Sequence, residues 1–253
     1  MSSVFDSREF NANLFFPRRD SAVCPVGAED FWIEVAPSIR IHARKFINIG
    51  ARFSLLYFHG NGEIVSDYND VSALFLEQGV ELIVCDYRGY GKSEGTPTLR
   101  TVMEDAHALY EWLRQQGKLM DSLCVMGRSL GSAPAIELCR SHREIKGCVI
   151  ESGYADPIPL VERRGLKIAS TTEQEDALFN NSRKIRDVVC PLLIMHGEDD
   201  FLISPQEAEL NYRNAGSQVK HLEILEGVGH NDMMMSREYF VSLDRFFRQQ
   251  MGL

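Results

Sequence analysis

The chain of 253 residues lacks a long apolar run and any excess of positive charge. No apolar stretch approaches the roughly twenty residues that a transmembrane helix needs, which excludes a helical membrane span. The 27 Lys and Arg residues are outnumbered by 36 Asp and Glu residues, and the net charge is −9. A surface of that charge does not attract a phosphate backbone, so we expect no nucleic-acid partner.

Paired cysteines are absent as well. The six cysteines are scattered singly, and no C-x-x-C spacing or close His/Cys cluster supports a metal site or a redox pair. Near the N-terminus the chain carries Asp6, Arg8 and Glu9, where a signal peptide would be apolar. We therefore expect a cytoplasmic protein that uses no metal and no other cofactor.

What the sequence does contain is an alternation of short apolar strands and amphipathic helices. A hairpin at residues 31–35 and 39–46 is predicted to precede it. Continuous apolar strands joined by helices predict a mostly parallel sheet with helices on both faces, the α/β class. In such a sheet, reactive residues lie on loops beyond the carboxyl ends of the strands. The predicted strands are 54–58, 81–85, 123–126, 147–151, 192–195 and 219–225, and the predicted helices are 65–78, 101–116, 132–139, 205–214 and 236–250.

Two segments stand outside this alternation. Residues 152–189 are rich in charge yet contain apolar residues, which indicates a small cap of one or two helices, too short to be an independent domain. We predict a single α/β domain over residues 1–253, with this minimal cap region at about 152–189. The triplet at residues 14–16, Leu-Phe-Phe, is expected to pack on the domain, with docking of a partner as the alternative.

Residues 127–131, Gly-Arg-Ser-Leu-Gly, form the pattern G-x-S-x-G between a predicted strand and a predicted helix. This context indicates a nucleophile elbow, a turn so sharp that the serine side chain stands clear of the backbone. Glycines at 127 and 131 remove Cβ atoms that would collide. We therefore predict that Ser129 is a nucleophile, and we expect Arg128 to turn away from the site into an ion pair.

A serine hydroxyl needs a base to take its proton as it attacks. His230 lies between a glycine and a polar pair after the last predicted strand, and it is the candidate base. Asp200 follows another predicted strand and would hold the imidazole in the right tautomer. Glu198, Asp199 and Asp156 remain competing candidates for the acid.

Because these residues occur in the order Ser129, Asp200, His230, the chain resembles the α/β-hydrolase-fold serine hydrolases from about residue 30 to its end. It is similar to the small, cap-poor enzymes of the Bem46-like and serine-aminopeptidase-like type. The spacing His-Gly-x-x-Asp at 196–200 in such enzymes favours Asp200 as the acid. The resemblance also implies an oxyanion hole formed by the backbone N–H groups of Asn61 and Leu130. The closer resemblance rests on residues 59–61, 86–95, 127–131, 196–200 and 229–232.

We therefore predict a serine hydrolase that cleaves acyl esters or thioesters through an acyl-Ser129 intermediate, with a small-molecule ester or thioester as its substrate. Gly60, Tyr154 and Met233 are predicted to line its substrate pocket. Three alternatives stay open: a peptide or amide hydrolase, a protein depalmitoylase, and a ligand-binding protein that has kept the fold without turnover. The sequence makes no prediction about oligomeric state.

Overall fold

One eight-stranded sheet organises the computed structural model, which describes residues 3–251. The ends of the predicted 1–253 span therefore lie outside the described residues. The strand order across the sheet is β1-β2-β4-β3-β5-β6-β7-β8. The strands are β1 (Ala28–Ala36), β2 (Ile39–Phe46), β3 (Phe53–Phe58), β4 (Val80–Cys85), β5 (Leu123–Arg128), β6 (Gly147–Glu151), β7 (Leu192–Gly197) and β8 (Lys220–Leu225).

Strand directions confirm the predicted α/β architecture. The hairpin β1–β2 is antiparallel, and β2 also pairs antiparallel with β4. From β4 to β8 every neighbouring pair is parallel, so the carboxyl ends of β3, β5, β7 and β8 meet at the same edge. The loops that leave this edge are where the predicted reactive residues lie.

Helices cover both faces because successive strand residues point to opposite sides. Leu56 and Phe58 of β3 pack in one core with the helices at 8–14, 99–115 and 132–141. Leu55 and Tyr57 pack in a second core with the helices at 68–76 and 237–250. The helices are α1 (Arg8–Leu14), α2 (Tyr68–Leu76), α3 (Leu99–Gln115), α4 (Ser132–Ser141), α5 (Pro157–Glu162), α6 (Glu173–Phe179), α7 (Asn181–Lys184), α8 (Pro205–Asn214) and α9 (Arg237–Gln250). Within residues 3–251, none of them is long and apolar enough to cross a bilayer.

Element boundaries differ from the prediction at two places that matter for the site. The predicted helix 65–78 is a 3₁₀ turn (Val65–Asp67) followed by α2, which stops before Gly79, a residue with φ of 76°. Strand β5 runs to Arg128, two residues further than predicted, and a 3₁₀ turn (Ser129–Gly131) precedes α4. The serine thus follows the strand without an intervening loop.

The N-terminal segment packs against the segment of residues 152–189, which contains α5, α6 and α7. The ring centroids of Phe5 and Phe179 lie 4.4 Å apart, and α1 contacts α5. Of the predicted packing triplet, Leu14 and Phe15 are buried, whereas Phe16 is 50% exposed. These two segments, distant in sequence, therefore meet near the carboxyl edge of the sheet.

Candidate active site

Ser129 occupies a strained turn between β5 and α4. Its φ of 52° lies in the left-handed region, which a non-glycine residue adopts only where the surroundings enforce it. A Cβ on Gly127 would collide with the carbonyl of Gly131, and one on Gly131 would collide with the carbonyl of Phe58. Both glycines are therefore required by close backbone contact, as the elbow interpretation predicts.

A hydrogen-bonded chain connects Ser129 to the two loops at the carboxyl ends of β7 and β8. The Oγ of Ser129 lies 3.0 Å from Nε2 of His230, and Nδ1 of His230 lies 2.6 Å from Oδ2 of Asp200. All three residues are buried, with 9% or less of their surface exposed. With Nδ1–H donating to Asp200, Nε2 of His230 is free to accept a proton from the serine hydroxyl.

Asp200 is held as a carboxylate by several donors. Its Oδ1 accepts the backbone N–H groups of Leu202 (2.9 Å) and Ile203 (2.8 Å), and its Oδ2 lies 3.1 Å from Nε2 of His196. Burial would raise the pKa of Asp200, but the hydrogen bonds from His196, His230 and the Ile203 amide outweigh it and lower the pKa below its ordinary value. Asp200 is therefore ionised beside the imidazole.

The competing acids lie elsewhere. Glu198 and Asp199 are exposed, and neither bonds to His230. Asp156 caps the N-terminus of α5 through the Ile158 amide and accepts the side-chain amide of Asn180 at 3.0 Å. Of the four candidate carboxylates, Asp200 alone is brought to the imidazole.

Asn61 lies in the loop after β3 and lines the same cavity as Ser129, Leu130 and His230. Its side chain is held on both ends: Nδ2 donates to the Leu14 carbonyl (2.6 Å), while Oδ1 accepts the Phe16 N–H (2.9 Å) and the Tyr90 hydroxyl (2.6 Å). Among residues 3–251, the backbone N–H of Asn61 has no intramolecular acceptor. It is therefore not used by a hydrogen bond within the described chain.

Arg128 connects the elbow to the loops around it. Its guanidinium forms ion pairs with Glu63 and with the fully buried Glu151, and Nη2 donates to the His230 carbonyl and to Oδ1 of Asn231, both at 2.9 Å. Burial would lower the pKa of Arg128, but the two carboxylates raise it above its ordinary value. The predicted ion pair is present. The prediction that Arg128 turns away is wrong, because it also lines the cavity.

The cavity over Ser129 has a volume of about 180 Å³. Half of its lining residues come from the N-terminal segment, from α5 and its C-terminal turn, and from the loop after Asp200. Within the described chain, no Asp or Glu side chain is part of the lining. The lining residues are Leu14, Phe16, Asn61, Arg128, Ser129, Leu130, Leu160, Arg164, Leu202, Ile203, His230 and Asn231.

Gly60, Tyr154 and Met233, which the sequence predicted to line the pocket, do not reach it. Gly60 is buried against the Arg128 guanidinium, where a Cβ would collide. Tyr154 is fully buried, and its backbone carbonyl accepts the side-chain amides of Asn181 and Asn211 at 3.1 and 3.2 Å. Met233 is 1% exposed and packs in the core between the sheet and α9.

Three further residues of the site were not predicted from the sequence. Glu63 and Glu151 pair with Arg128, and the Tyr90 hydroxyl donates to Asn61. A carboxylate at the end of the apolar strand β6 was a usable signal for Glu151, since a buried acid needs a partner. Glu63 and Tyr90 carry no comparable signal, because their roles depend on which loops meet in the fold.

Comparison with known proteins agrees with this fold. The family model described as serine aminopeptidase, S33, matches residues 50–174 and 155–235. Alpha/beta hydrolase domain-containing protein 17C of Xenopus laevis is 28% identical over 210 residues, which cover 80% of this chain and 63% of that protein. This chain therefore spans less than two thirds of that relative's length.

Protein 17B of the same description from Homo sapiens is 27% identical over 209 residues, covering 79% of this chain and 68% of the relative. The structure of the esterase Pf2001 from Pyrococcus furiosus superposes with a TM-score of 0.76. The superposition covers 93% of this chain and 99% of the esterase at 20% identity. At that identity the likeness shows a shared fold.

Proposed function

The chain belongs to the serine aminopeptidase S33 family of α/β-hydrolases, and on that premise we propose that it cleaves small acyl esters or thioesters through an acyl-Ser129 intermediate. The observation that carries this proposal is the hydrogen-bonded chain from Asp200 through His230 to the Ser129 hydroxyl, with lengths of 2.6 and 3.0 Å. A serine held this way beside a buried imidazole is an activated nucleophile.

In the first half of the reaction, Oγ of Ser129 attacks the acyl carbon while Nε2 of His230 takes the hydroxyl proton. Asp200 offsets the positive charge that forms on the imidazole. The N–H groups of Asn61 and Leu130 would stabilise the oxyanion, and the loss of one such donor costs about 3 kcal/mol of barrier. The tetrahedral intermediate then collapses, and the alcohol or thiol leaves with the proton from His230.

In the second half, water replaces the leaving group. His230 takes a proton from this water as it attacks the acyl carbon, and the same two donors stabilise the second oxyanion. Collapse releases the carboxylic acid and returns the proton to Oγ of Ser129. Each proton that His230 accepts is therefore returned within the same half-reaction.

The cavity supports a short acyl group. Its volume of about 180 Å³ and the apolar side chains of Leu14, Phe16 and Leu160 in its lining suit a small apolar acyl group. We further propose that residues 152–189 act as the cap of this site, since Leu160 and Arg164 from this segment form part of the lining.

Peptide hydrolysis, which the family description suggests, is the second candidate. An aminopeptidase must bind a positively charged amino terminus, and carboxylates are the natural partners of that group. The lining of the cavity, within the part of the chain that the structure describes, contains no carboxylate. We therefore place esters and thioesters ahead of peptides. A protein depalmitoylase stays a third candidate.

The test compares p-nitrophenyl butanoate, a butanoyl thioester and an alanyl p-nitroanilide as substrates of the wild type and of Ser129→Ala. We expect the wild type to hydrolyse the ester and the thioester and to leave the anilide nearly untouched. Ser129→Ala should lower ester turnover by about 10⁴-fold or more.

Preferred cleavage of the anilide would replace the proposal with the peptidase alternative. Equal turnover by wild type and Ser129→Ala would overturn it. A folded wild-type protein without any turnover would favour the ligand-binding alternative.

A further inference from the structure

The charge of the cavity lining is opposite to that of the whole protein. The chain carries a net charge of −9, yet the lining contains two arginines, Arg128 and Arg164, and no carboxylate within residues 3–251. A cavity lined with one sign of charge raises the local concentration of ligands of the other sign. The two arginines must be considered separately, because only an unneutralised cation can act on a ligand.

Arg128 is not available to a ligand. Its Nε and Nη1 donate to Glu151 and Glu63, and its Nη2 donates to the His230 carbonyl and the Asn231 side chain. Two carboxylates therefore surround one guanidinium, and four of its five N–H groups already donate hydrogen bonds. Arg128 holds the site together and does not provide a charge for the substrate.

Arg164 has a fixed position and an unused charge. Its Nη1 donates to the Asn13 carbonyl at 2.6 Å, and its guanidinium carbon lies 4.7 Å from the ring centroid of Phe16. Among the described residues, none of the ion pairs includes Arg164, whereas the adjacent Arg163 pairs with Glu207 at 2.9 Å. Partial desolvation and the charge of Arg163 lower the pKa of Arg164, while Tyr90 acts in the opposite direction.

We propose that Arg164 is a specificity-determining residue that binds an anionic group of the substrate, a carboxylate or a phosphate, at the mouth of the cavity. The inference rests on the proposed function and names the class of its substrates: acyl esters or thioesters that carry a negative charge. Arg164 presents a planar guanidinium with donors left over, the group best suited to bidentate binding of such anions. The stack on Phe16 and the bond to Asn13 hold it in place before the substrate arrives.

The negative charge can belong to the acyl group or to the leaving group, and two matched substrate pairs distinguish these sources. The acyl pair is mono-p-nitrophenyl glutarate and p-nitrophenyl pentanoate, in which a carboxylate replaces the terminal methyl. The leaving-group pair is para-carboxyphenyl butanoate and para-carbamoylphenyl butanoate. For each pair, the quantity of interest is the ratio of kcat/KM for the anionic ester to that for the neutral ester.

We expect the wild type to prefer the anionic member of one pair by about tenfold, the change expected for one charge-assisted hydrogen bond. Arg164→Gln should reduce that ratio to about one, mainly through a higher KM, and Arg164→Lys should keep part of it. The control Lys167→Gln removes one positive charge from an exposed residue three positions away and should leave the ratio unchanged. High salt should weaken the wild-type preference, because Arg164 is exposed.

A wild-type ratio near one for both pairs would overturn the inference, as would a preference that Arg164→Gln leaves intact. In either case, Ser129-dependent hydrolysis of the neutral esters would leave the proposed function standing. Failure of the wild type to hydrolyse any of the four esters would overturn both proposals together. Hydrolysis of the neutral esters by Arg164→Gln also reports that this variant is folded.

Discussion

The cavity over Ser129 has two walls that come from different parts of the chain and are held in different ways. One wall lies at the carboxyl ends of the strands, and its polar side chains are mostly buried and hydrogen-bonded. The other includes Phe16 and Leu202, which are 50% and 46% exposed. We call the first the catalytic wall (Asn61, Arg128, Ser129, Leu130, His230 and Asn231) and the second the substrate wall (Leu14, Phe16, Leu160, Arg164, Leu202 and Ile203).

Because the two walls are held differently, they also differ in which residues can be substituted without disturbing their neighbours. On the catalytic wall, His230 bonds to Ser129 and Asp200 through its ring and to Arg128 through its carbonyl, so altering one group disturbs several loops. On the substrate wall, the side chains of Phe16 and Arg164 rest on each other, and Arg164 also donates to the Asn13 carbonyl. We expect changes in the catalytic wall to affect turnover and stability strongly, and changes in the substrate wall to affect the choice of substrate.

The largest difference is expected between two adjacent aspartates. Asp200→Asn removes the acceptor that fixes the His230 tautomer and should lower kcat by about 10⁴-fold. Asp199→Asn changes an exposed neighbour and should stay within about twofold of the wild type. Ester hydrolysis under saturating substrate measures both. Equal losses in the two variants would contradict the assignment of Asp200 as the acid that orients His230.

Arg128→Met tests how much the buried ion pairs stabilise the catalytic wall. The change leaves Glu151 buried without its cation and should lower the free energy of unfolding by about 3–5 kcal/mol. Adding Glu151→Gln should restore part of the loss, since no buried charge then remains unpaired there. The control Arg40→Met breaks an exposed pair with Glu94 and should change the free energy of unfolding far less. Similar costs for both, measured by urea unfolding, would contradict the special role of Arg128.

Asp86 makes the support of the catalytic wall sensitive to acid. It contacts His42 (3.0 Å), His59 (3.4 Å) and the Val65 amide (2.9 Å), and so ties down the loop that carries Asn61. Burial would raise the pKa of Asp86, but these hydrogen bonds lower it to about 2. Because the folded pKa lies below the unfolded value, the resulting stabilisation is present above about pH 4 and is lost as the pH falls towards 2.

We expect this stabilisation to amount to about 2 kcal/mol. Between pH 5 and pH 2, the loss in the free energy of urea unfolding should be about 2 kcal/mol smaller in Asp86→Asn than in the wild type or in the exposed control Asp121→Asn. An acid loss of the same size in Asp86→Asn would assign the pH dependence to other groups.

Phe16→Ala should have the smallest effect and should act on the substrate wall alone. The half-exposed ring contributes little to the core, so the free energy of unfolding should change by less than about 1 kcal/mol. The enlarged cavity should shift the preference towards longer acyl chains, by about tenfold for each methylene newly accommodated. A series of p-nitrophenyl esters measures the shift, with Val23→Ala, at an 84% exposed residue, as control. An unchanged chain-length profile would show that Phe16 does not limit the cavity.

The same contrast explains how much could be predicted from the sequence. The elbow at 127–131 is a local motif, because the two glycines are demanded by backbone atoms that lie close in the chain or at the end of the neighbouring strand. The apolar strands indicated the parallel sheet, and the sheet brings the loops of Ser129, Asp200 and His230 to one edge. These predictions depended on short segments and on a general property of parallel sheets.

The substrate wall could not be predicted in this way. Arg164 bonds to the carbonyl of Asn13, 151 residues away, and no pattern in either segment indicates the other. Tyr154 follows a strand like a pocket residue, but amides 27 and 57 residues further along the chain hold its carbonyl in the core. Contacts of this range depend on the whole fold, which is why the pocket predictions at Gly60, Tyr154 and Met233 were wrong.

The intact-protein mass after exposure to a fluorophosphonate tests whether Ser129 is an activated nucleophile. It is measured for the wild type and for Ser129→Ala. Such a reagent phosphonylates a serine only when a base removes its proton and an oxyanion hole accepts the developing charge. We expect a single adduct in the wild type and none in Ser129→Ala. A folded wild-type protein that stays unmodified, or an adduct that persists in Ser129→Ala, would contradict it.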